Sequence, residues 1–139
     1  MRSKARTEEH VGEFKVSLTA DTLEELFAET ARVIAREAGT PLSTPSDWGL
    51  ITVGARDRTT LLADWANELL GRSEVERRAY TEIRNLSITM QPDGTSSITA
   101  EVRSQPVTRW TSPLKAATYH GLSLERHDGE WHAVILFDV

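Results

Sequence analysis

Two carboxylates stand side by side at the end of this 139-residue chain: the side chain of Asp138 and the main-chain carboxylate of Val139. Both close the run from Trp131 to Val139, which alternates with period two and reads as a β-strand. Trp131, Ala133, Ile135 and Phe137 fall on one face, and His132, Val134, Leu136 and Asp138 on the other. A strand ending this way puts two negative groups at one corner of a sheet, where they repel unless protons or a cation intervene. That corner is the place to look for chemistry, against the plainer reading of Asp138 as a solvated strand-end acid. Glu13 opens a strand near the other end of the chain, where an exposed acid is ordinary. It joins the corner only if the first strand lies beside the last, which is the expectation. His10 and His120 carry side chains able to ligate a metal, orient a carboxylate or carry a proton. Packing and hydrogen bonding are the commoner uses of a lone histidine. His120 sits in Thr118-Tyr119-His120-Gly121, where Gly121 permits close backbone approach and marks a bulge. His127 and His132 read as turn and surface residues, and Lys115, after Pro113, as a solvated cation.

The elements that must position these groups follow from period and punctuation. Residues 1–9 are polar without periodicity and read as a frayed end. Glu13 to Leu18 alternates, with Phe14, Val16 and Leu18 facing inward. The period then changes: Leu23, Leu26, Phe27, Thr30, Ala31 and Ile34 mark a helix, opened by the capping box Thr22/Glu25 and stopped near Ala38 by Gly39-Thr40-Pro41. Residues 39–47 form a loop. Trp48 to Ala55 reads as a strand. Leu61, Leu62, Trp65, Ala66 and Leu69 mark a second helix from Thr59 or Thr60, ending at Gly71 or after a further polar turn. Tyr80 to Met90 and Ser97 to Ser104 make a hairpin about Gln91-Pro92-Asp93-Gly94. Pro106 and Pro113 bracket a segment around Trp110 outside the sheet. A last hairpin turns at His127-Asp128-Gly129-Glu130. The order predicts one α+β domain over 1–139, two helices packed on one mixed or mainly antiparallel sheet.

Bulk properties exclude several classes. Hydrophobic residues make up 39% and charged residues 27%, ordinary for a globular domain. A net charge of −5 argues against broad nucleic-acid binding by the overall field. The absence of cysteine removes disulfides, thiolate zinc sites and cysteine nucleophiles together. The basic start lacks the apolar stretch of a secretory signal, and no apolar run reaches bilayer length. A soluble, cytoplasmic protein is expected. Arg72, Arg77, Arg78 and Arg84 form a local basic stretch, read as a solvated face mixed with Glu74, Glu76 and Glu82. Asp64, Trp65, Asn67 and Glu68 look like a motif, with Trp65 in the core and Asn67 and Glu68 capping or binding neighbouring backbone.

Four pieces in order resemble the archease family. Lys115 to Leu122, KAATYHGL, resembles its KAVTYHGL motif, and Trp131 to Val139 its W-x-A-x-VIFD-[IV] ending. Leu61 to Leu70, LLADWANELL, resembles its LL-x-DW-x-NELL helix, and Thr22 to Phe27, TLEELF, its first-helix motif. The resemblance runs from about His10 to Val139. The family's opening DHTADVGI falls on Glu9 to Val16. Histidine is kept at His10, a metal-ligand aspartate becomes Glu13, and a glycine becomes Lys15. Glutamate is one methylene longer, which changes the site's geometry and ion preference.

The resemblance implies a non-enzymatic protein cofactor of an RtcB-type RNA ligase. Such a cofactor promotes guanylylation of the ligase and repeated turnover in tRNA splicing or RNA repair. It implies Glu13 and Asp138 as metal ligands with the Val139 carboxylate as a third, and roles in activation for Lys115, His10 and His120. Carboxylate oxygens without thiolates suit a hard ion, Ca²⁺, Mg²⁺ or Mn²⁺. RNA is then met only through the ligase. Two other readings stand beside this one: a chaperone-like scaffold for a nucleic-acid-modifying enzyme, and a metal-dependent hydrolase using Glu13, Asp138 and a histidine. The hydrolase reading lacks HExxH and Ser-His-Asp signatures.

Overall fold

The computed structural model describes residues 2–139. Seven strands and two helices follow one another as β1 (Ser3–His10), β2 (Glu13–Ala20), α1 (Leu23–Ala38), β3 (Gly49–Ala55), α2 (Arg58–Glu76), β4 (Arg78–Met90), β5 (Ser96–Pro106), β6 (Ala116–His127) and β7 (Glu130–Asp138). The fold is α+β with antiparallel pairing throughout, as expected, but the strands form two sheets rather than one. Their orders are β1-β2-β7-β6 and β3-β5-β4. Both helices touch both sheets, α1 through β1, β2 and β4, and α2 through β3 to β6. Leucines 61, 62, 69 and 70, Trp65 and Phe27 join the inner faces of both sheets in a single core.

The first strand corrects the expectation of a frayed end. Ser3–His10 pairs with all of β2, from Ser3↔Ala20 to His10↔Glu13. Only Ala5 among its residues packs on the core, so apolar alternation could not reveal it. Backbone and helix contacts hold it instead. The Arg2 and Asp21 backbones bond at 3.0 Å, and the Ser3 hydroxyl donates to Glu25 and Glu29 of α1. Charged residues suit this edge position, because they discourage pairing with another chain.

The helices begin and end for local reasons. Thr22 caps α1 by accepting from the Glu25 N–H at 3.1 Å. Gly39 ends it at φ 137, where a Cβ would meet the Arg109 carbonyl. Asp57 caps α2 through the Thr60 N–H at 2.7 Å, so the helix starts at Arg58. It passes Gly71 and takes the further polar turn to Glu76, closed by Arg77 in the left-handed conformation with its N–H on the Ser73 carbonyl. Residues around Trp110 lie outside the sheets as expected, with the Arg77 guanidinium over the Trp110 ring. In β4 an irregularity between Arg84 and Ser87 puts Asn85 at φ 52, its amide on Glu101.

Candidate functional site, the corner where the first and last strands meet

The inner face of β7 is Ala133, Ile135 and Phe137, all buried, and that of β2 is Phe14, Val16, Leu18 and Ala20. Period two then sends Glu13 and Asp138 outward on the same face. The β2–β7 register sets them directly opposite each other. Residues so opposed hold their Cβ atoms about 4.5–5.5 Å apart. Two pairings extend the row, His10↔Glu13 on one side and Asp138↔Ala116 on the other. His10, Glu13, Asp138 and Ala116 thus cross the whole sheet in a line. The expectation that the first apolar strand lies beside the last is met.

The ends of the corner are tied by backbone. The β1–β2 turn is Val11-Gly12, with Gly12 at φ 80, as the second corner of a type II turn requires. The Gly12 carbonyl accepts the Val139 N–H at 3.4 Å, and the Asp138 carbonyl accepts the Lys115 N–H at 2.8 Å. Lys115 is therefore beside the row, with its side chain exposed. Glu13 and Asp138 are both exposed and have no ion-pair partner among the described residues. The ammonium of Lys15, two residues along the same face, is turned to Glu8 at 3.9 Å. A pair of unpaired, opposed carboxylates is a hard-donor set. Among the described residues no three His, Asp or Glu side chains converge on one point.

His120 lies outside the row. It sits in an irregular stretch of β6, where Tyr119 to Leu122 face Ile135 between the pairs Thr118↔Leu136 and Ser123↔Val134. Gly121 makes this bulge with φ 66, and a Cβ there would stand 3.1 Å from Leu136 Cδ1. Two side chains of α2 brace this part of β6. Asn67 donates to the Ala117 carbonyl at 2.9 Å and accepts from the Ala117 N–H at 2.7 Å, as a neighbouring strand would. The Tyr119 hydroxyl donates to Asp64, and that bond pushes the phenol's pKa above its ordinary value. The Asp64–Tyr119 contact has no signal in spacing, because its partners come from elements 55 residues apart. Trp65 is fully buried, with its indole N–H on the Phe27 carbonyl at 3.0 Å. The DWAN stretch is thus structural, as its residue types suggest. The arginine stretch is also consumed internally: Arg72 on Glu68, Arg78 on Ser104, and Arg84 on Glu101 and over Trp48.

The Archease protein family (MTH1598/TM1083) matches residues 6–139, nearly the whole chain including every residue of the corner. The chain belongs to the archease family. Two curated relatives, each a "Protein archease", are similar over most of their length. That of Methanopyrus kandleri is 26% identical across 94% of this chain and 96% of its own, and that of Methanosarcina mazei 27% identical across 94% and 92%. Solved archease-like structures share the fold. The solution structure of Methanobacterium thermoautotrophicum protein 1598 superposes with a TM-score of 0.75 at 18% identity, covering 97% of this chain and 98% of that one. The crystal structure of a Thermotoga maritima archease, described as a possible chaperone, gives 0.62 at 20% identity, covering 100% and 98%. No helix among the described residues of this archease is long and apolar enough to cross a membrane.

Proposed function

We propose that this archease is a non-enzymatic, metal-binding cofactor protein that activates an RtcB-type RNA ligase by promoting its guanylylation and multiple turnover. The supporting observation is the registered pair Glu13↔Asp138, without an ion-pair partner among the described residues and exposed at the strand ends of the β1-β2-β7-β6 sheet. In this reading Glu13, Asp138 and the Val139 carboxylate hold a hard divalent ion, Ca²⁺ or alternatively Mg²⁺ or Mn²⁺, with water completing the shell. The ion supplies positive charge for phosphate oxygens. Lys115, held beside Asp138 by its backbone, adds a second cation at the same edge, and His10 shares the row. His120 contributes from the bulge one strand away. Exposure suits a site that is shared with a partner, because an open corner can enter another protein's cleft.

The alternative, a chaperone-like scaffold, draws on the description of the Thermotoga maritima relative and needs no metal. A single experiment separates the two. Multiple-turnover ligation by the ligase of the same organism is measured with this protein, with Asp138→Ala and with Glu13→Gln. The activator reading expects turnover with the wild type and single-turnover behaviour with both variants. Full stimulation by both variants refutes the metal-dependent reading, and stimulation that survives a chelator favours the scaffold.

A further inference from the structure

The two sheets leave four edge strands, β1 and β6 in one and β3 and β4 in the other. Three of these edges carry features that oppose pairing with another chain. β1 is lined with Lys4, Arg6, Glu8 and Glu9. β4 loses register twice, with Asn85 in the left-handed conformation at the second place. β6 breaks register between Thr118 and Ser123, and Asn67 occupies the backbone of Ala117. β3 has none of these features. Its seven residues, Gly49-Leu50-Ile51-Thr52-Val53-Gly54-Ala55, include no charge and no proline, and they run along β5 without a register shift. Among the described residues no strand or loop backbone bonds to the other edge of β3.

This strand is complementary to itself in the antiparallel direction. Pairing centred on Thr52 engages all seven residues: Thr52 meets its own copy, Ile51 meets Val53, Leu50 meets Gly54 and Gly49 meets Ala55. On the inner face β-branched side chains meet, Ile51 buried and Val53 half-buried. On the outer face Leu50 is 65% exposed, and its opposite number, Gly54, has no side chain. Even an added Cβ at Gly54 would meet nothing nearer than the Ser96 carbonyl at 3.9 Å, so the space for a leucine is open. Just past the strand ends this register brings Arg56 of one copy one place from the exposed Asp47 of the other, opposite charges at both ends of the pair. Asp57, the like charge opposite Asp47, is engaged as the cap of α2. We propose that β3 is a self-association edge, which pairs antiparallel with β3 of a second copy about a two-fold axis through Thr52. The two three-stranded sheets then become one continuous sheet. Glu13 and Asp138 belong to the other sheet, so the pairing uses none of the corner's strands.

Sedimentation velocity of the full chain from micromolar to millimolar concentration tests this. A contact of one strand on one strand is small, and small interfaces exchange, so the wild type should pass from monomer to dimer within that range. Thr52→Lys sets two ammonium groups face to face on the axis and should abolish the dimer. Thr7→Lys, on the edge strand β1, should leave it unchanged. The register has its own readout, because the chain has no cysteine. Cβ atoms directly opposed on the axis lie about 4.5–5.5 Å apart, close enough for a disulfide after a small adjustment. The two copies of Leu50 lie four places apart along the pair, about 13 Å. Thr52→Cys should therefore give a disulfide-linked dimer on oxidation with diamide, and Leu50→Cys, for all its exposure, should not. Thermal melts matching the wild type establish that the variants fold. A wild type that stays monomeric at millimolar concentration, a dimer that survives Thr52→Lys, or cross-linking as fast in Leu50→Cys as in Thr52→Cys overturns the proposal.

Discussion

Truncating Asn67 to alanine tests how β6 is held against the rest of the molecule. β6 is an edge strand, and the Asn67 amide takes the place of its missing neighbour by bonding both backbone groups of Ala117, at 2.7 and 2.9 Å. Each such bond contributes about 1 kcal/mol net, and a buried group left without its partner costs about 1–3 kcal/mol. Ala117 is 5% exposed, so water repairs little of the loss. The expected destabilisation is about 2–3 kcal/mol. At roughly 3–5 °C per kcal/mol for a domain of this size, Tm falls by roughly 6–15 °C. Urea and thermal melts followed by circular dichroism measure the loss, with the urea m-value unchanged. Amide exchange locates it. The Ala117 N–H should exchange freely in Asn67→Ala but stay protected in Asn67→Asp, which keeps an acceptor and loses the donor. A change within 0.5 kcal/mol of wild type, with the Ala117 amide still protected in the alanine variant, refutes the argument.

Two further outcomes follow from local geometry. Gly121→Ala places a methyl 3.1 Å from Leu136 at φ 66 and should cost about 1–2 kcal/mol, read by thermal melts; an unchanged Tm shows that the bulge relaxes freely. Tyr80 is pushed up to about 12, chiefly by burial and next by its bond to the Glu76 carboxylate. A raised folded pKa favours the neutral phenol, so its contribution is fully present below the unfolded value of about 10 and is lost as pH rises through about 12. Ultraviolet titration of tyrosinate should place Tyr80 well above a free phenol, and Tyr80→Phe should flatten the stability curve in that window; a normal titration refutes it.

Elements with a buried face were legible, because burial writes its period into the residues. Phe14, Val16 and Leu18, the α1 series from Leu23 to Ile34, and Ala133, Ile135 and Phe137 are all buried as their spacing requires. The chain's first strand was not legible, since Ser3–His10 is held by backbone bonds and by Glu25 and Glu29 of a later helix. The division into two sheets also escaped the sequence, because strand neighbours depend on tertiary pairing rather than on local pattern. At the candidate site the residue types and the neighbourhood of the first apolar strand and the last were readable, and the register that sets Glu13 opposite Asp138 was not. Glu13 looks like any strand-start acid until β7 is laid beside it in register. Asn67 hinted at its backbone role by type alone, and only the structure supplies Ala117 as its partner.

The bond from the Val139 N–H to the Gly12 carbonyl bears on how the protein is made. Glu13 and Asp138 are more than a hundred residues apart in the chain, and contacts of such separation form late because loop closure must come first. On the ribosome β1 and β2 emerge first and wait, with one side of β2 unpaired, until β7 leaves the exit tunnel. A chain without β7 has no corner, because the strand that carries Asp138 is the one that lies beside β2. Any ligand of that corner would therefore report that β2 and β7 have paired, and not merely that either strand is present.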